Sequence, residues 1–298
     1  MNFPSEFRFR RLFEAEYAAI DTAGRMVASL SRDGIELFEE TDRVYSAVIE
    51  RSKYLTSEAE ALDSLQNAAA VLGLSSAELA NRLRSDPAGL PPDCVSAWRR
   101  FVACSAIRTV LLACRRFWLW GAADLVRFRL SQASGYLRLE AECVGLAKLF
   151  ADDPEKAHRW LLINNQGDGQ AFFRETQPQV KAVLEEYELT RAYDFASGVA
   201  QHVRLTGMVR SLSLTTSKIV LPDHDVDLED PFNFHLTVAT FLKNQGRVLR
   251  AWSAVVQAKG RDHTTVFNGY AARVNALWSA LEDRYTDRIT DLVGEGGG

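Results

Sequence analysis

Residues 93–153 read DCVSAWRRFVACSAIRTVLLACRRFWLWGAADLVRFRLSQASGYLRLEAECVGLAKLFADD, with no proline among them. Apolar residues recur at spacings of three and four between Ala, Leu, Glu and Arg, so the stretch reads as amphipathic helix and not as strand. The pattern continues outward in both directions. The chain holds eight prolines in all, and residues 5–86 and 179–221 are also free of them. The periodicity predicts helices over about 5–31, 34–54, 57–72, 76–85, 93–119, 122–150, 154–164, 168–188, 192–204 and 231–292, interrupted at Gly121 and near Gly260.

The expected fold is therefore all-α, a multi-helix bundle with little or no β structure. SDPAGLPPD at 85–93, with three prolines and a glycine, reads as a linker between an N-terminal helical region, residues 1–90, and a main bundle, residues 91–293. GEGGG at 294–298 reads as a flexible tail. Only SLTTSKIVLP, residues 213–222, has strand character, and it is expected to cross the bundle as a loop.

Composition narrows the function classes. At 298 residues, 47% hydrophobic and 25% charged, the chain has the make-up of a globular protein with a real core. Lys plus Arg number 35 against 39 Asp plus Glu, so a net charge of -4 gives no global pull toward nucleic acid or anionic lipid. The opening MNFPSEFRFRRLFEAEY lacks the apolar run of a signal peptide. The most apolar segment, TVLLACRRFWLWGAADLV, is broken by Arg115 and Arg116 well short of the roughly 20 residues a membrane span needs. A cytoplasmic location follows as the expectation, with Cys94, Cys104, Cys114 and Cys143 reduced. The cysteines form no CxxC pair and the five histidines have no ligand spacing, so neither a metal nor a cofactor is expected.

LQNAAAVLGLSSAELANRLRS, residues 65–85, places Ala69, Gly73 and Leu79 where a helix-turn-helix needs them, and Ser75 with Glu78 forms a capping box. Glu58, Glu60, Asp63, Glu78 and Asp86 oppose only two arginines over 57–86, which disfavours a phosphate-binding surface, so a plain helical hairpin is the better reading. Between 98 and 129 the charge reverses. Arg99, Arg100, Arg108, Arg115, Arg116, Arg127 and Arg129 oppose Asp124 alone, with Phe101, Phe117, Trp118, Trp120 and Phe128 among them. Guanidinium groups beside aromatic rings can hold phosphates and stack bases, which makes Arg108, Arg115, Arg116, Trp118, Arg127 and Arg129 the nucleic-acid-binding candidates. Arg100, Arg108, Arg115 and Arg129 would share a face if the helix ran through Gly121. Arginines on a solvated face with aromatics turned into the core would leave the same trace.

GYLRLEAECVGLAKLFADDPEKAHRWL, residues 135–161, sets Arg138 and Glu142 four apart, so a helix pairs them on one face. Pro154 then opens a new helix. YDFASGVAQHVRLTGMVRSL, residues 193–212, adds Ser197, His202 and Arg204. Together these segments, over roughly residues 100–255, resemble uncharacterised prokaryotic helical proteins related to the HEPN superfamily: an Arg-x-x-x-Glu helix, a DPE turn, then a helix start with serine and histidine. A late helix, DPFNFHLTVATFLKNQ, would close an up-down core of this kind, with extra N-terminal helices outside it. HEPN ribonucleases use an Arg-x4-6-His motif at a dimer interface. Here Ala196 stands six before His202 and Arg191 eleven before it, so that signature is absent. The resemblance implies Arg138, Glu142 and His202 as a catalytic set. The structural alternative is that His202 hydrogen-bonds the ion pair and ties two helices together.

LPDHDVDLEDPFNFH, residues 221–235, is rich in Asp, but Leu228 and Phe234 occupy the positions where a calcium loop needs Gly and Glu, so a solvated acidic loop is expected. The leading functional expectation is an intracellular interaction or scaffold protein with a protein partner or a second copy. The resemblance suggests a bacterial stress or phage-defence system. A divergent metal-independent ribonuclease and a nucleic-acid-binding module are the alternatives.

Overall fold

The computed structural model describes residues 5–31, 34–50, 52–163, 165–191, 193–194, 231–256 and 264–295. Ten α-helices lie among them: α1 Ser5–Leu30, α2 Glu36–Glu50, α3 Lys53–Val71, α4 Ser76–Ser85, α5 Pro92–Leu125, α6 Leu130–Asp152, α7 Pro154–Leu161, α8 Gln166–Glu186, α9 Phe232–Val256 and α10 Thr264–Glu295. There is no strand among the described residues, and the chain is an all-α multi-helix bundle. The extended-looking segment 213–222 and the predicted helix over 192–204 lie outside the described residues, apart from the start of the latter.

α5 is the axis of the bundle, packing on α6, α3, α7 and α2, while α9 lies against α6, α2 and α10. Pro92 starts α5 with a φ already suited to a helix and no N–H to lose. The helix runs without a break through Gly121 to Leu125, contrary to the expected interruption. The reason is packing. A Cβ at Gly121 would stand 2.9 Å from Cζ of Phe241, so the glycine admits a ring from α9 and does not end the helix. The chain turns just past Leu125, where Phe128 takes φ 60 and the Arg129 N–H donates to the Asp124 carbonyl at 2.8 Å. Left-handed backbone costs a non-glycine residue about 1 kcal/mol or more, and burial of the Phe128 ring against Phe234, 4.9 Å between centroids, offsets it.

Two apolar cores result. The larger one draws Val27, Tyr45, Ile107, Trp118, Val144, Phe150, Trp252 and Leu277 from helices on both sides of residue 90, so α1 and α2 share the interior of the main bundle. The smaller one joins Leu65, Ala69, Leu79 and Leu83 of the α3–α4 hairpin to Cys94, Trp98 and Val102 of α5. In that hairpin Gly73 takes φ 64 and the reciprocal Ser75–Glu78 capping box is present. The segment expected as a linker forms a short 3-10 turn, Pro87–Gly89, that leads into α5.

Candidate functional site

The arginine-rich stretch occupies α5 and the turn after it, and its members separate into distinct environments. Arg115 donates from Nε and Nη2 to the two carboxylate oxygens of Asp42 on α2, at 2.9 and 3.0 Å, and these bonds raise its pKa further. Arg108 Nε lies 3.0 Å from Glu58 on α3, whose other oxygen accepts from Ser105. Arg129 stands beyond the end of α5, 3.7 Å from Asp124, and Arg127 is half-buried in the same turn. Trp118 is 1% exposed, ringed by Phe38, Tyr45 and Phe241 at centroid distances of 6.0, 6.3 and 5.5 Å. It is a core residue and offers no face to a base, which corrects the sequence-based assignment. Two positions along a helix are about 200° apart, so Trp120 points the opposite way.

That outward face carries accessible aromatic and cationic groups. Leu112, Leu119 and Trp120 are 47%, 46% and 46% exposed. The Arg116 guanidinium lies 5.9 Å from the Trp120 ring centroid, and Trp120, Phe117 and Tyr136 of α6 contact one another at 5.8 to 6.4 Å. Among the described residues no carboxylate lies within ion-pair reach of Arg116.

On α6 the predicted Arg138–Glu142 pair is formed, Nε to Oε1 at 3.0 Å. Tyr193 donates to the same Glu142 oxygen at 3.3 Å, and its ring lies 5.0 Å from the Arg138 guanidinium. Burial, then the Glu142 charge, raises the Tyr193 pKa. His202, Ser197 and Arg204 lie outside the described residues, as do residues 221–230 of the acidic loop. His235, at the end of that segment, is buried, its ring nitrogens 2.9 Å from the Met26 carbonyl and 2.9 Å from the Tyr285 hydroxyl. It ties α9 to α1 and α10.

One polar group in the middle of the bundle escapes the reading by motifs. Glu140, two residues from Arg138 but on the opposite side of α6, is fully buried. It interrupts an apolar stripe of Ala133, Leu137, Ala141, Val144 and Ala147, and a lone carboxylate on such a stripe is the signal the sequence offers. The Tyr45 hydroxyl of α2 lies 3.0 Å from Glu140 Oε2 and 2.9 Å from Gln245 Oε1 of α9. Cys114 of α5 accepts from the Trp252 indole N–H at 3.1 Å and sits 3.7 Å from the same hydroxyl. Burial pushes the Glu140 carboxyl up to about 8, against the opposing pull of Gln245 and Tyr45. It likewise raises Tyr45 and Cys114. This centre joins four helices and is closed to solvent.

Among the described residues no three His, Cys, Asp or Glu side chains group as a metal site, and no helix is long and apolar enough to cross a membrane. The four cysteines are buried free thiols. The fold and these sites define an all-α multi-helix bundle with a buried polar centre and an apolar, aromatic outer face on α5. No family model matches the chain, and neither a curated relative nor a similar solved structure is found for it.

Proposed function

We propose that the chain is a cytoplasmic helical interaction protein that docks a protein partner on the outward face of α5. The observation that carries this reading is the exposure of Leu112, Leu119 and Trp120 on one face of the second half of α5, opposite side chains that fill the core. Exposed apolar residues matter when they are contiguous, and a tryptophan beside an arginine is the composition of interface hot spots. Arg115 and Arg108 are occupied by Asp42 and Glu58, which takes two of the candidate phosphate contacts out of play. The resemblance to HEPN-related proteins is what suggests a bacterial stress or phage-defence setting.

A photoreactive residue at Leu119, compared in cells with one at the exposed Asn81 of α4, tests the reading. A discrete adduct from position 119 alone is expected, with the mass of one defined protein or of a second copy. No adduct, or the same adducts from both positions, would sink it.

The stacked Arg116–Trp120 pair favours a second reading, a nucleic-acid-binding module. Affinity for single-stranded RNA that falls steeply with salt and is lost in Arg116→Ala would carry that reading instead.

A further inference from the structure

A groove of about 860 Å³ runs along the first half of α5, on the side away from Trp120, between α3 and the α6–α7 junction. Its origin is legible in side-chain size. Pro92, Ser96, Ala103 and Ile107 follow one another at helical spacing on the wall formed by α5, and Ser96 and Ala103 are too small to fill the space against Tyr54 and Phe150. Ala103, Cys104, Ile107 and Phe150 make the floor apolar. The volume falls in the range of small-molecule sites, about 300–1,000 Å³, which pair an apolar lining with a few polar groups.

Charge accounting at the mouth selects the ligand. Arg99 is matched by Glu155 across the groove at 3.7 Å, and Asp153 by Lys156 at 3.6 Å. Arg100 lines the groove, and among the described residues no carboxylate lies within ion-pair reach of it. Among the described residues one cation is left over beside an apolar trough. We propose that this groove binds a soluble amphipathic carboxylate, a fatty-acid-like monoanion whose chain lies on Ala103, Ile107 and Phe150 and whose head pairs with Arg100. The ligand site is separate from the α5 docking face and stands or falls independently of it.

Calorimetric titration of the full chain with dodecanoate, below the concentration at which it forms micelles, is the test, with dodecanol as the uncharged analogue. Dodecanoate is expected to bind, and dodecanol to bind roughly tenfold more weakly, the scale of one charge-assisted hydrogen bond. Arg100→Gln should weaken dodecanoate by a similar factor and leave dodecanol unchanged. Ser96→Leu, at an exposed position, narrows the groove and should weaken binding of both while the melting temperature stays that of the parent. No binding by the parent, or equal binding by the parent and both variants, overturns the proposal. Binding of dodecanol as tight as that of dodecanoate overturns the role of Arg100. Anionic phospholipid vesicles form the remaining arm: the protein should stay unbound, and recruitment that depends on Arg100 would overturn a monomeric ligand.

Discussion

The Tyr45 hydroxyl lies 3.0 Å from a carboxylate oxygen of Glu140, and the same hydroxyl is 2.9 Å from the Gln245 side-chain oxygen. A phenol has one proton and cannot donate to both. With the Gln245 amide oriented as it is here, the chain of bonds closes when Glu140 keeps its own proton and donates to Tyr45, which donates to Gln245. Burial works in the same direction, because an uncompensated carboxylate in the middle of the bundle would be far costlier than a neutral acid.

A stability profile with pH follows. The unfolded chain releases the Glu140 proton near 4.5 and the native chain near 8, so between these values the native state holds one proton more. Stability is full below the lower value and falls as pH rises, by about 1.4 kcal/mol per pH unit, until it levels off above the upper one. Tyr45, Cys114, Cys143 and Tyr270 face the same centre and are all pushed upward by burial, so none of them ionises in this window. His235, whose pKa burial lowers, contributes equally to parent and variant. Urea unfolding across neutral pH should therefore show a falling stability in the parent and a flatter profile in Glu140→Gln. Parallel profiles would mean that Glu140 is ionised in the native state.

Tyr45→Phe removes the shared hydroxyl and leaves Glu140 and Gln245 facing a ring edge. Loss of one partner from a buried pair costs about 1–3 kcal/mol, more than the bond itself contributes. Combined with Glu140→Gln, the loss should be smaller than the sum of the two single changes, since both act on one network. Strict additivity in a double-mutant cycle by urea unfolding would show that the two groups are not coupled.

The helical period was legible across the described residues, and most plainly in α5 and α6, which bury so many side chains that apolar residues at three and four spacing are hard to mistake. Glu140 was also legible in principle, as a charge on an otherwise apolar stripe of α6. Its partners were not, since Tyr45 and Gln245 are brought to it from α2 and α9 across long sequence separations. Gly121 shows the opposite failure. A glycine inside a helical pattern signals either a stop or a close approach, and only the position of Phe241 decides between them. Trp118 and Trp120 had to lie on opposite faces, yet periodicity alone does not say which face is inward.

Those two tryptophans should respond differently to truncation. Trp118→Ala opens a cavity between Phe38, Tyr45 and Phe241 and is expected to cost about 3–5 kcal/mol of stability. Trp120→Ala removes a half-exposed ring and should cost about 1 kcal/mol or less, while weakening partner binding at the outer face. Urea unfolding measures the first difference, and crosslinking yield from Leu119 the second. Equal destabilisation by the two changes would contradict the burial pattern.

Gly145 and Gly24 make a similar contrast between two helical glycines. A Cβ at Gly145 of α6 would meet Cγ1 of Val180 on α8 at 2.5 Å and its Cβ at 3.2 Å, and valine's branched side chain has little freedom to move aside. A Cβ at Gly24 of α1 would meet nothing within 4 Å. Gly145→Ala is therefore expected to destabilise by about 1–3 kcal/mol through forced separation of α6 and α8. Gly24→Ala should stabilise by about 0.5–1 kcal/mol, since alanine loses less backbone freedom on folding and fits the helix without strain. The urea midpoint should move down for the first and up for the second, with the slope of the transition unchanged. A neutral Gly145→Ala would show that α8 can shift away from α6 at no cost, and that the close approach is not what keeps a glycine there.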